Sequence, residues 1–580
     1  MVFVGIFALS MVLLAGHPQP VFNMVVTCAL YGALRLRDVP RLGLTILSIG
    51  IVGAFTIVLT AVQLWTEVQT ASEGTRQGGL PYALAATWSL PPENFLTLVV
   101  PGFFGSLTHF SYWGAGYLWE MGPFVGLTAL SMAILALFGQ FPRRVVYMVM
   151  AIVLYWIASG DYTPLFAALF RYVPGFDHFR CNSRFIFEAA LFLTMLAALG
   201  IDGLFRSPRG TKVGAAALIV SALMVAAVGV LLVYDIPFAD IVRTRILPGN
   251  LHPTTNALHQ AGYHCLRSSA IMLPLGAIVL LRRATPSATY LLVAVGVVEM
   301  FAFAHSTLTS FSLTDAMPTS VDHFLAAHPG DYRILDMVEF PSDSAVAIDA
   351  HDIWGYDSMM LRRYTDFIGY SQGQSSDSWG LYNVAFSQFG RLLALTRLRF
   401  VFVQVGLGGR RVIQPLEEGG ALPHLQFVNE WTHKVNRDDI LSTLSSPTFD
   451  PRRTAILEFE PDFLPHSGLA DAKAQILERD SDSMLISAQL TKPGLLLITD
   501  SYSRYWQALA LPQSSQASYQ VIPADYAFMA VPLAAGNQLF RLAYRPSGYF
   551  VGRWISIGAL AIYLLALGIF FAQKRSRQRS

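Results

Sequence analysis

About ten apolar runs are spaced along this sequence, at residues 1–16, 20–36, 42–63, 122–140, 145–159, 186–204, 213–233, 269–281, 288–306 and 553–573. The longer runs approach the roughly 18–22 residues an α-helix needs to cross the hydrocarbon core of a bilayer. A chain built this way needs lipid as its solvent for much of its length. Only 13% of its residues are charged and 53% are hydrophobic, whereas soluble domains carry about 25% charged residues. The expectation is a multi-pass α-helical membrane protein of about ten helices, with the short 269–281 run beginning earlier, near Cys265. The first run has no basic segment before it and no cleavage-like site, so it reads as a span and not as a secretory signal.

Basic residues give the expected sides. Arg35, Arg37 and Arg41 follow the second run, Arg143 and Arg144 the fourth, and Arg206, Arg209 and Lys212 the sixth. Arg282 and Arg283 follow the eighth, and "KRSRQRS" follows the last. Every second connection is thus short and basic, which places those connections and the C-terminus in the cytoplasm. The other connections face outward: loops 64–121, 160–184 and 234–267, and the long segment 307–550. Residues 1–306 then form a polytopic domain, and 551–580 a last helix with a basic tail.

The long segment has soluble patterning. Residues 307–479 mix helix-like and strand-like stretches ("RDDILSTLSS", "LRFVFVQVG"), which reads as a mixed α/β region. From 480 to 550 short strand-like runs follow one another, among them "SMLISAQL", "GLLLITD" and "NQLFRLAYRP", separated by turn residues. That spacing reads as an extracytoplasmic β-sandwich. It serves either as a structural lid or as a grip on an extended acceptor such as a glycan.

Polar residues collect beside the outward ends of the runs, where ionisable groups are costly and usually functional. They are His17 and Gln19 in "LLAGHPQP", Gln63, Glu67 and Arg76 in "AVQLWTEVQTASEGTR", Glu93, Trp119 with Glu120, and Asp161. Glu299 lies inside the ninth run and needs a partner. Taken singly, each carboxylate is as well explained by a loop charge or a helix cap; collected at one face, they fit a site for a polar headgroup. Arg180 and Arg184, in "VPGFDHFRCNSRF", sit against the positive-inside preference. If the helix has begun they share a face, and Asn182 or Ser183 can cap it, leaving N–H groups free for a phosphate. The alternatives are an ion pair with Asp177 or Glu188, or contact with lipid headgroups. The three cysteines, Cys28, Cys181 and Cys265, form neither a disulfide framework nor a metal spacing, and Cys28 reads as a small core residue. No phosphate-binding Gly-rich loop or nucleophile elbow is present, and Asp357–Ser358 is not part of a triad signature.

The strings "LLAGHPQP", "AVQLWTEVQTASEGTR", "WSLPPENFLTLVVPGFFG", "YTPLFAALFRYVPGFDHFRCNSRF", "GYDSMMLRRYTDF", "LLALTRLRFVFV", "GLLLITDSYSRYWQA" and "AFMAVPLAAGNQLFRLAYRP", in this order, resemble the bacterial YfhO membrane protein family. That family resembles the GT-C superfamily of integral-membrane glycosyltransferases. The resemblance implies transfer of a sugar from a polyprenyl-phosphate donor to a cell-envelope glycan or polymer acceptor outside the cytoplasmic membrane. It gives Arg180 and Arg184 the donor phosphate as partner, and makes His17, Gln19, Gln63, Arg76, Trp119 and Asp161 candidates for substrate binding. A divalent cation is a candidate cofactor, without a ligand set in the sequence.

One departure stands out. The usual GT-C carboxylate lies in the first outer loop, but here the first outer connection carries none, as though the front helices and acidic loop of the pattern were missing. The catalytic base is therefore unassigned, with Glu67, Glu93 and Glu120 as candidates. Two other readings remain: a non-catalytic envelope protein whose outer domain binds glycan, and a transporter or lipid translocase. The last is disfavoured by the lack of internal repeats.

Overall fold

The computed structural model describes residues 1–579 except 107–111, 207–210, 248–250, 282–286, 309, 311, 313–318, 339–343, 356–358, 375–383, 408–409 and 462–470. Arg209, Arg282, Arg283 and the Asp357–Ser358 pair lie outside the described residues. Among the described residues, six helices are long and apolar enough to cross a membrane: Leu42–Leu59, Asn182–Leu204, Lys212–Tyr234, Thr255–Leu280, Thr289–Thr307 and Ser547–Gln578. Val2–Leu14, Leu127–Phe138 and Arg144–Ala158 are shorter apolar helices. The protein is membrane-associated, with a sheet-rich C-terminal region. The 269–281 run does begin earlier, in a helix that starts at Thr255.

The chain divides into two compact units that do not follow a cut at residue 306. One comprises Met1–Leu14, Gly50–Gly78 and Phe311–Ser580, the other Ala15–Ile49 and Gly79–Ser310.

The second unit is helical, and its helices approach through small residues. A Cβ on Gly229 or on Gly262 would lie 2.9 Å from the other's carbonyl oxygen, so the Thr211–Tyr234 and Thr255–Leu281 helices touch backbone to backbone. A Cβ on Gly200 would lie 2.0 Å from the Met132 oxygen, which sets the Ile186–Arg206 helix on Leu127–Phe138. Lipid supplies no hydrophobic drive between helices, so close packing has to hold them. The Pro18–Arg35 helix shows the same solvent logic. It buries Gln19, Asn23 and Thr27, spaced one helical turn apart, and turns Val25 outward. Cys28 is exposed on that helix and is not a core residue.

The 42–63 run is two helices, Leu42–Leu59 and, in the first unit, Ala61–Ala71, broken at Thr60. Ala61–Ala71 packs on Ser547–Arg579 at Gly548 and Gly552, where added Cβ atoms would come within 2.8 Å of the Trp65 and Ala61 backbone. The Tyr563 hydroxyl donates to the Phe3 oxygen at 3.0 Å. Beyond Ala61–Ala71, Glu73 accepts from the Ser503 hydroxyl at 2.5 Å and from the Arg504 N–H at 3.0 Å, fixing the 501–505 loop.

Among the described residues, thirteen strands make three sheets. β1 (Arg333–Asp336), β2 (Leu398–Leu407) and β3 (Arg410–Glu417) form the first. The second has the order β10-β13-β8-β7, from β7 (Lys473–Arg479), β8 (Ser483–Leu490), β10 (Trp506–Ala510) and β13 (Gly536–Tyr544). The third runs β4-β9-β12-β11-β6-β5, from β4 (Leu425–Val428), β5 (Glu430–His433), β6 (Thr454–Leu457), β9 (Gly494–Ile498), β11 (Ile522–Ala524) and β12 (Phe528–Leu533). It thus takes three strands from upstream of residue 480.

β9 and β12 are buried on both faces. Leu495 and Leu497 join one core with the Arg362–Ser371 and Arg437–Ser445 helices, while Leu496 and Ile498 join a second core with Ile486, Phe540 and Leu542 of the four-stranded sheet. That is why "GLLLI" and "FMAVPL" read as continuous apolar runs, whereas β8 alternates.

Candidate functional site

The 160–184 loop and its neighbours in the helical unit build a charged site around Arg184. The chain turns at Cys181, whose φ is +62°, into a 3₁₀ turn, Asn182–Phe185, that leads into Ile186–Arg206. Arg180 therefore precedes the helix and does not share a helical face with Arg184. Neither Asn182 nor Ser183 caps the helix; the Asn182 amide donates to the Ala85 oxygen at 3.1 Å. The N–H groups are used as well: Cys181 donates to the Thr87 oxygen at 3.1 Å and Ser183 to the Trp88 oxygen at 3.2 Å. The helix start is a joint with the 87–88 turn rather than an open anion cradle.

Arg184 pairs with neither Asp177 nor Glu188. Its guanidinium grips Glu120, with Nη2 at 2.8 Å from Oε1 and Nε at 3.2 Å from each carboxylate oxygen. Nη1 donates to Gln19 Oε1 at 2.9 Å and meets His17 Nε2 at 3.1 Å, which places the neutral ring's proton on Nδ1. The Gln19 amide completes the frame by donating to the carbonyls of Arg180 at 2.5 Å and Cys181 at 3.3 Å. Asp177 instead accepts from His178 at 2.7 Å. Burial raises the Asp177 carboxyl, but the bond and charge of His178 outweigh it and hold the group below its ordinary range.

An aromatic stack adjoins this pair. Trp88 lies on Tyr117 at 4.3 Å and 16°, and Tyr117 on Trp119 at 4.7 Å and 6°. Tyr117 and Trp119 are exposed. The stack depends on Trp88 taking φ +60°, which nothing in the sequence announces. Next to Trp88, Ser89 accepts from the Asp161 N–H at 3.1 Å, and Asp161 accepts from the Tyr82 hydroxyl at 2.5 Å. That bond, with burial second, pushes Tyr82 up to about 12. Gly160 is required here, because a Cβ would fall 2.0 Å from Ser89 Oγ.

His17, Gln19, Trp119, Glu120, Arg180 and Arg184 therefore come together, with Asp161 joined through the Trp88–Ser89 step. Glu93 stands in the Pro92–Leu98 turn, half-buried and without a hydrogen bond or ion pair among the described residues. Gln63, Glu67 and Arg76 belong to the other unit, where Gln63 donates to Glu67 at 2.6 Å. Trp88, Tyr117 and Tyr82 are the site residues that sequence reasoning passed over; the only signal was the Tyr-x-Trp spacing before Glu120. Among the described residues no group of three His, Cys, Asp or Glu side chains could hold a metal ion. Compared with known proteins, the chain matches no family model, no curated protein and no solved structure.

Proposed function

We propose that this protein is an integral-membrane glycosyltransferase of the YfhO and GT-C type, which moves a sugar from a polyprenyl-phosphate donor to a cell-envelope acceptor. In this reading about ten spans cross the cytoplasmic membrane, residues 307–550 lie outside and end in a β-sandwich, and the C-terminus lies inside. The observation that carries it is the meeting of Arg184 with Glu120, His17 and Gln19 beside the Trp88–Tyr117–Trp119 stack. A lipid-linked sugar needs cations for its phosphate and flat apolar faces for its ring, next to carboxylates for its hydroxyls.

The acceptor hydroxyl attacks the anomeric carbon and gives its proton to a carboxylate base. The bond from that carbon to the phosphate oxygen breaks, and the departing polyprenyl phosphate gains negative charge, which Arg180 and Arg184 stabilise. Glu120 is engaged by Arg184 and Glu67 by Gln63, so the base is assigned to Glu93.

Mass spectrometry of lipid co-purifying with the full chain tests this. Wild-type protein should retain a polyprenyl-phosphate sugar, Arg180→Ala and Arg184→Ala should lose it, and Glu93→Gln should retain it without transfer. Retention in both arginine variants overturns the phosphate assignment. The second reading, a non-catalytic glycan-binding envelope protein, is favoured by the match of the Arg184 charge with Glu120; transfer by the Glu93→Gln variant at the wild-type rate would remove the proposed base.

A further inference from the structure

The sheet-rich unit holds a second charged centre, separate from the Arg184 site. Asp500, two residues beyond β9, is largely buried and held by two arginines and a histidine. Arg333 Nη2 lies 2.6 Å and Arg397 Nη2 3.0 Å from Oδ1, and His424 Nε2 lies 2.7 Å from Oδ2. Asp331 takes the other side of Arg397 at 2.7 Å and of His424 Nδ1 at 2.8 Å, with Arg479 at 3.4 Å. Both ring nitrogens of His424 face carboxylate oxygens. Arg397 is fully buried.

Three arginines and His424 thus share two carboxylates. Burial first, and then repulsion by Arg333, brings Arg397 down to about 10. His351, which shares a cavity with Arg333, is held below its usual range by burial and then by Arg479, Arg333 and Arg397. A positive field therefore fills this corner of the fold.

The corner is open. A cavity of about 400 Å³ is lined by Arg333, Arg479, Asp480, Asp500, Trp506 and Tyr544. A second, of about 320 Å³, shares Arg333 and Ser501 with it. Both are within the range of small-ligand sites. Trp506 and Tyr544 are cross-strand partners on β10 and β13, with ring centroids 5.6 Å apart. Arg333 and Arg479 keep 16% and 34% of their side chains exposed, so they remain reachable. The floor is fixed by Glu73, which ties down Ser503 and Arg504.

We infer that this cavity binds a short acidic saccharide, with one carboxylate-bearing sugar at Arg333 and Arg479 and a sugar ring against Trp506 and Tyr544. With Asp480 at the rim, three arginines and His424 face three carboxylates, a near balance that suits a singly charged carboxylate at the two partly exposed arginines. A phosphate dianion would leave excess negative charge beside Asp480 and Asp500. Arginine forks take a carboxylate in bidentate fashion, and the serines and Asp480 offer both donors and acceptors to hydroxyls. The choice of a saccharide rests on the transfer reading, in which this site would seat the acceptor; the choice of an anion rests on the charges alone.

Titration of the purified full chain with α-1,4-linked galacturonic acid trisaccharide tests the inference. Saturable binding is expected, about tenfold weaker for the neutral galactose trisaccharide. Arg479→Ala and Trp506→Ala should each weaken the acidic sugar about tenfold; Trp506 also packs against the core of Ile486 and Phe540, so its variant melts lower and both affinities are read well below the melting temperature. Absent binding, equal binding of the neutral sugar, or unchanged affinity in both variants overturns the inference. Tighter binding of a galactose trisaccharide carrying phosphate overturns the carboxylate assignment. If the trisaccharide binds but no donor lipid is retained, the cavity inference stands and the transfer reading falls; donor retention without trisaccharide binding has the reverse meaning.

Discussion

One carboxylate oxygen of Glu299 accepts both the backbone N–H and the hydroxyl of Thr128, at 3.0 and 2.8 Å. The other accepts from the Leu127 N–H at 2.5 Å. Glu299 is the acidic residue of the ninth apolar run, and its partner is the N-terminus of the Leu127–Phe138 helix, which has no capping side chain of its own at Gly126. The two oxygens there satisfy N–H donors of the helix end that lipid cannot.

Removing it should cost stability rather than chemistry. Glu299→Ala leaves two buried N–H groups unpaired, an expected loss of about 2–3 kcal/mol. The Glu299→Gln variant keeps one acceptor and should lose less. Thermal unfolding in detergent measures both; a Glu299→Ala protein that melts like wild type would show that the helix end has another partner.

The contact between Ala61–Ala71 and Ser547–Arg579 makes a steric prediction. At Gly552 a Cβ would lie 2.8 Å from the Ala61 oxygen and 2.9 Å from the Val62 Cα. These are backbone atoms that cannot swing away. Gly552→Leu should force the helices apart, with a loss of about 1–3 kcal/mol. Gly558, with no atom within 4 Å of its Cβ position, should tolerate the same change. Comparing the melting temperatures of the two variants checks this directly.

Stability should also depend on pH through Asp525. Burial pushes this carboxyl up to about 7, although its Oδ1 accepts from the Ile456 N–H at 2.8 Å. The unfolded chain releases the proton near the ordinary value of 3.8, so the folded form is the stronger proton binder between those two values. Stability therefore falls as pH rises from about 4 to 7 and levels off above. Asp352, also raised to about 7 by burial, acts in the same direction. Asp331, held near 2 mainly by His424, acts oppositely and only at lower pH. Asp525→Asn should thus shrink the drop in melting temperature between pH 5 and pH 7.5. An unchanged drop would place the ionisation elsewhere.

The site was partly legible before the fold. His17, Gln19, Glu120 and Arg184 stood out as polar groups beside apolar runs, and they do meet. Their arrangement was not legible. Arg184 finds Glu120, 64 positions away, and not its neighbours Asp177 or Glu188, because the turn at Cys181 points the following residues toward the 117–121 segment. The expected open helix end is closed by the carbonyls of Thr87 and Trp88. No local pattern announces a tryptophan in the left-handed region, so the aromatic stack was equally hidden.

The six-stranded sheet repeats the lesson. Its central strands were legible as apolar runs, but their union with β4, β5 and β6 was not. Sequence alone determined that the chain needs a membrane, because span length and transfer energy accumulate residue by residue along a run. Tertiary structure alone decided which charge faces which: His424 between Asp331 and Asp500, Glu299 on Thr128, Arg184 on Glu120. A buried charge takes whatever partner packing brings within about 3 Å, and packing is set by backbone approaches at glycines and turns far away in the chain.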